Sequence, residues 1–251
     1  MYKYGEKPDV LIFQKVLMTY DYQLHKHFEG IKILDICDPE WSQSPDVLLK
    51  GTLDNVDAVV VPTQEWADYL LTMTDKPVRV IRDRFDLSEL PKPKSHHGVI
   101  RNAVWFGYSH NSLSMEFVVR SLERRGIGLI AVSDNDPMLW RWAEDKEKYQ
   151  KKYKYLKYEH PKAYKDIQEA DIAVLPLGKR PFDRFKSENK TILAQLLGLP
   201  VVNDSEELEK MNNPANRNNA IDFGKLKAEY NVKKSIREWK ELIREISLKR
   251  R

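Results

Sequence analysis

The chain has 251 residues, 41% of them hydrophobic and 32% charged, a balance that excludes a mainly disordered polypeptide and suits one large or two small globular domains. Lysine and arginine exceed aspartate and glutamate by 42 to 38. The excess is local, because residues 225–251 carry ten basic and four acidic side chains, a net +6, which leaves −2 for the remainder.

No apolar run approaches the ~20 residues of a membrane-spanning helix, and residues 1–8 lack the apolar stretch of a signal peptide. Cys37 is the single cysteine. An intrachain disulfide is therefore excluded, no Cys/His cluster has zinc-ligand spacing, and a reducing cytoplasm is expected.

In chain order, short apolar runs alternate with helix-like stretches. Residues 9–13 (Asp-Val-Leu-Ile-Phe) read as a buried strand, as do 31–34, 58–61 and 78–81. Residues 63–71 read as a helix with Thr63 as N-cap and an inward stripe of Trp66, Leu70 and Leu71. Residues 90–98 (Leu-Pro-Lys-Pro-Lys-Ser-His-His-Gly) make a poor element and a good linker. Within it, His96 and His97 could bind a metal, but no third ligand is in view.

The alternation then restarts. Strands are expected at 103–106, 129–132, 155–158, 172–175 and 200–202. Helices are expected at 114–125 ending at Gly126, at 137–152, at 162–169, and at 189–197 closed by Gly198. Residues 230–251 read as a terminal helix with Ile236, Trp239, Leu242, Ile243 and Ile246 on one face, packing across the body of the protein. Its basic residues are either a solvated face or a contact for nucleic acid or anionic lipid. Strands alternating with helices define an α/β chain with parallel sheets. The expected division is 1–92, 98–224 and a basic helix at 225–251.

In open parallel sheets ligands bind beyond the carboxyl ends of the strands. The fifth strand is followed by Gly107-Tyr108-Ser109-His110-Asn111-Ser112. A glycine loop at that place either holds an anion with backbone N–H groups or serves turn geometry alone. The loop from Pro176 to Lys190 is long and basic and leads into a helix, with Lys186, Ser187, Asn189 and Lys190 around the helix start. Cations there oppose the helix dipole, and a bound phosphate resolves the conflict. Asp38, after the second strand, is either a base for an acceptor hydroxyl or a turn residue. His25, His27 and His110 are further candidate bases, and Arg82, Asp83 and Arg84 end the fourth strand, where they reach a cleft or pair with one another.

The stretch Ala170-Asp-Ile-Ala-Val-Leu-Pro-Leu177, the following Phe185-Lys-Ser-Glu-Asn-Lys190, and Leu197-Gly-Leu-Pro-Val-Val202 resemble the donor half of GT-B glycosyltransferases, most closely the family-4-like group. The resemblance covers most of residues 103–204 and is weaker before them. It implies two Rossmann-like domains facing a cleft, the N-terminal one reduced in this short chain. It implies a nucleotide-diphosphate sugar, a UDP-sugar above others, as donor substrate, with no metal or other cofactor. By position, the resemblance implies that Lys186 and Lys190 neutralise the diphosphate and that Ser187 and Asn189 hydrogen-bond phosphate or sugar, with Glu188 in the same donor-binding set. Gly107 would let the backbone approach the pyrophosphate, Ser109 and Asn111 of the same loop belong to the donor-binding set, and Tyr158, Glu159 and His160 follow a strand where the family holds the nucleobase. Where many members carry a ribose-binding glutamate, this chain has Leu193.

The expected activity is transfer of a sugar, with retention, to a hydroxyl of a glycan, lipid-linked sugar, protein or small molecule. Two alternatives keep the fold: glucosylation of a modified DNA base, and a non-catalytic module that binds a nucleotide or a partner.

Overall fold

A computed structural model describes residues 8–14, 28–37, 46–176, 183 and 185–250. Asp38, His25, His27 and residues 177–182 lie outside the described residues. The chain divides into two compact units, one of Met1–Arg84, Arg180–Ser187 and Val232–Arg251, the other of Phe85–Lys179 and Glu188–Asn231.

In the first unit, β1 (Val10–Gln14), β2 (Ile31–Asp35), β3 (Ala58–Val61) and β4 (Val78–Val80) pair in parallel in sequence order. All four residues of β3 are buried, as expected of a strand covered on both faces. One face packs Leu34, Val59 and Val61 against Leu49 and Leu53 of α1 (Asp46–Asp54) and Trp66 and Leu70 of α2 (Gln64–Leu71). Thr63 caps α2, its hydroxyl oxygen accepting the Trp66 N–H at 3.3 Å. The buried set of α2 is Trp66, Ala67 and Leu70, at helical i, i+1, i+4 spacing, while Leu71 turns outward, against expectation.

The other face of this sheet packs Ile31, Ile33, Ala58 and Val60 against Leu242 and Ile246 of the helix Val232–Lys249. Trp239 and Ile243 pack beside them, whereas Ile236 is exposed. Burying Leu242 and Ile246 contributes about 1.5–3 kcal/mol each. Ion pairs Arg84–Glu238 (2.5 Å), Arg79–Glu245 (2.5 Å) and Arg250–Asp57 (2.8 Å) set the helix in register. This helix falls with the first unit and residues 225–231 with the second, so the expected 225–251 segment is divided between them.

In the second unit, β5 (Asn102–Phe106), β6 (Gly128–Ser133), β7 (Tyr153–Lys157), β8 (Ile172–Val174) and β9 (Val201–Val202) are parallel in the order β7-β6-β5-β8-β9. The order reverses at β5, and in open parallel sheets the carboxyl ends of the strands at such a reversal are where ligands bind. A 3₁₀ turn (Ser109–Met115) and α3 (Glu116–Arg124) occupy the expected 114–125 helix and its approach. The expected 137–152 helix is two pieces, a 3₁₀ turn (Leu139–Trp142) and α4 (Lys146–Gln150). The Glu123 carboxylate makes the break, accepting the Glu144 and Asp145 N–H groups at 2.7 and 2.8 Å. Next come α5 (Lys162–Gln168) and α6 (Asn189–Leu196). Gly198 closes α6 with φ +89°, and a Cβ there would lie 2.3 Å from the Lys94 nitrogen.

That close approach explains a second departure. Residues 90–98 are packed into the second unit and are not a solvated linker. The Lys94 N–H donates to Leu197 O (2.9 Å), His96 Nε2 meets Gly198 O (2.7 Å), and Asn218 brackets the His96 backbone (2.9 and 3.1 Å). The units divide between Arg84 and Phe85.

Candidate functional site

Gly107 stands at that reversal, directly after β5. Its φ of +144° is one that residues bearing a Cβ rarely adopt. A Cβ at Gly107 would lie 3.2 Å from Lys190 Nζ, so the ammonium of α6 rests over bare backbone. Glu188, the N-cap of α6, makes no side-chain cap, and Glu188, Asn189 and Lys190 are all exposed. A cation from the first turn of an uncapped helix therefore sits over a turn with no side chain, an arrangement suited to a phosphate.

The turn is braced from β6. The Asp134 carboxylate accepts the Ser109 N–H at 2.7 Å and lies 3.4 Å from the Ser109 hydroxyl. The Ser133 hydroxyl reaches Gly107 O (2.7 Å) and Asp134 (3.0 Å). The Ser109 N–H in particular, with the Ser133 hydroxyl and nearby amides, holds the Asp134 carboxyl down at about 2. Its N–H is thus committed to Asp134, and the anion seat narrows to Gly107, Lys190 and the start of α6. Asp134 carried no signal in the sequence, since the Ser109 turn that it braces lies 25 residues away.

The remaining candidates fall into two sets. In the second unit, the Asn111 N–H donates to Tyr108 O (2.9 Å), and Tyr108 stacks on His110 with centroids 5.6 Å apart. The Tyr158 N–H donates to Ser133 O (2.8 Å), and burial raises the pKa of its half-exposed phenol. The His160 ring meets Tyr164 edge-on at 5.2 Å and lies 3.4 Å from the Glu89 carboxylate. In the first unit, Lys186 pairs with Asp183 (2.9 Å) and Ser187 donates to Asp83 (2.5 Å). Between the basic residues, Phe185 is buried against Trp66 (5.0 Å) and Tyr69 (5.6 Å). Arg84 binds Glu238 through both guanidinium nitrogens, at 2.5 and 3.0 Å. Among the described residues no cluster of three His, Cys, Asp or Glu could hold a metal ion, and no helix is long and apolar enough to cross a membrane.

No family model matches this sequence, and no curated protein matches it. Solved structures do match its fold. HepE of Anabaena, in complex with UDP and glucose, aligns over 86% of this chain and 72% of its own, with 12% identity and a TM-score of 0.63. AviGT4, a glycosyltransferase involved in avilamycin A biosynthesis, aligns over 94% and 97%, with 8% identity and a TM-score of 0.51. The accessory secretory protein 1, 2 and 3 structure of Streptococcus pneumoniae aligns over 97% and 55%, with 11% identity and a TM-score of 0.57. The chain has the GT-B fold, built of Rossmann-like parallel α/β units.

Proposed function

We propose that this protein is a glycosyltransferase of the family-4-like group, moving a sugar from a nucleotide-diphosphate donor, a UDP-sugar, to a hydroxyl acceptor with retention and without a metal. The observation that carries the reading is Lys190 Nζ over the bare turn of Gly107, at the amino end of α6. The diphosphate is held there by the Lys190 ammonium and the helix-start N–H groups. Those charges offset the negative charge that grows on the leaving diphosphate, the role a metal plays elsewhere. The bond from the anomeric carbon to phosphate oxygen breaks, the acceptor oxygen bonds that carbon, and the hydroxyl proton passes to the departing phosphate. Asn189 hydrogen-bonds phosphate or sugar, Asn111 lies along the pyrophosphate, and Tyr158 and His160 flank the base. Asp38 is assigned to orient the acceptor hydroxyl.

Calorimetric titration of UDP, GDP, ADP and TDP in EDTA, then turnover of the matching sugar nucleotide, tests this. Selective, chelator-resistant binding of one nucleotide that Lys190→Ala weakens supports the reading. Full turnover in Lys190→Ala overturns the site.

One observation favours a non-catalytic nucleotide-binding module. Leu193 is 7% exposed within the apolar core, so it offers nothing to the ribose hydroxyls at the place of the family's glutamate. Tight nucleotide binding with neither transfer nor donor hydrolysis, across a panel of acceptors, selects that alternative.

A further inference from the structure

The helix Val232–Lys249 has a second face. Leu242 and Ile246 point into the first unit's sheet, with Trp239 and Ile243 beside them. At 100° per residue, the direction opposite that packed face is occupied by Lys233, Arg237, Lys240 and Arg244, all exposed. Ile236 and Leu248 flank these cations, 47% and 62% exposed. Together the six side chains span an arc of about 120° and a length of about 22 Å, with no carboxylate inside it. The helix's acidic residues lie at the margin or off the stripe. Glu238 is bonded to Arg84 and Glu245 to Arg79, and Glu241 stands at the edge. Among the described residues, Arg237, Lys240 and Arg244 have no acidic partner.

We infer that this stripe is a docking surface for an anionic lipid bilayer. The chemistry selects that occupant. Four aligned cations repel a second copy of the same face and attract a negatively charged surface. The exposed aliphatic chains at the two ends suit the boundary between headgroups and acyl chains, and they have no use against a phosphate backbone in water. The helix is locked to the first sheet by apolar burial and by three ion pairs on its other sides, so the cations are presented as a pre-formed row. Such a surface binds peripherally and reversibly. It is independent of the seat at Gly107 and Lys190.

The test is co-sedimentation of the full chain with phosphatidylcholine vesicles containing 0 or about 30% phosphatidylglycerol, at low and physiological salt. Each cation near an anionic surface is worth about fivefold in partitioning. The triple variant Arg237→Gln, Lys240→Gln, Arg244→Gln is therefore expected to lose about a hundredfold in binding, with an unchanged melting temperature because all three side chains are exposed. The variant Ile236→Ser with Leu248→Ser is expected to lose the part of binding that survives high salt. Equal binding to neutral and anionic vesicles, or an unaltered triple variant, overturns the proposal. So does binding to duplex DNA that exceeds vesicle binding at the same salt, which would assign the stripe to nucleic acid.

Discussion

Replacing Gly107 with alanine separates the shape of the candidate seat from its charge. The glycine sits at φ +144°, and the atoms nearest an added Cβ are Lys190 Nζ at 3.2 Å, Lys190 Cδ at 3.6 Å and Trp105 Cζ2 at 3.9 Å. No backbone atom is among these neighbours, and the closest is the far end of a flexible chain, so the collision is relieved by moving the ammonium. The backbone strain is not relieved. Holding an L-residue in that conformation costs about 1–3 kcal/mol. For a chain of this size that lowers Tm by about 2–12 °C, at about 2–4 °C per kcal/mol. The displaced ammonium also leaves the seat, so nucleotide affinity falls beyond what the loss of stability explains. Lys190→Ala is the complement. It removes the charge without the backbone strain and weakens binding by about 10–150-fold, the worth of a charge-assisted hydrogen bond of about 1.5–3 kcal/mol. Thermal unfolding followed by circular dichroism, with calorimetric titration of the nucleotide, reads both quantities. A Gly107→Ala protein with wild-type Tm and wild-type affinity refutes both the strain and the seat.

Three further outcomes are expected. Burial, with Arg217 and Lys94 nearby, lowers the pKa of His96, which is 2% exposed; the unfolded chain takes up this proton first, so the contribution present above pH ~6.5 is lost as pH falls through the folded pKa. Urea unfolding midpoints from pH 7.5 to 5 should fall for wild type and flatten for His96→Gln, and parallel slopes refute the assignment. The Asp134 carboxyl, held at about 2, stabilises the fold above pH ~4 and loses that effect as pH falls toward 2; Asp134→Asn should abolish that acid limb and raise KM for the donor more than it lowers kcat, whereas an unchanged KM removes the bracing role. Leu242→Ala, at a site 1% exposed, should cost about 2–5 kcal/mol of stability by calorimetry or denaturant melts, and a cost below about 1 kcal/mol would falsify the docking of the terminal helix on the first sheet.

Much of the architecture is set by near neighbours in the chain and was readable there. The apolar runs at 58–61 and 129–132 are strands, because a parallel strand covered on both faces needs continuous apolar residues. Thr63 caps α2, and Gly126 and Gly198 end helices with positive φ, through interactions three or four residues long. The departures from local pattern come from residues far away in sequence. Glu123 splits the 137–152 segment, and Lys94 and His96 hold a proline-rich stretch against α6. Local composition carries no trace of either.

The candidate site divides the same way. Sequence determined its chemistry: a glycine after β5, a cluster of cations before and within the start of α6, and an alternation that builds parallel sheets. Those features depend on residue type and short spacing. Only the tertiary structure decided which charges are engaged and where. It put Lys190 over Gly107, 83 positions away, tied Ser187 to Asp83, and introduced Asp134 as the brace. The physical reason is that charges and hydrogen bonds act over a few ångströms of space, and folding, not sequence order, sets which groups come that close.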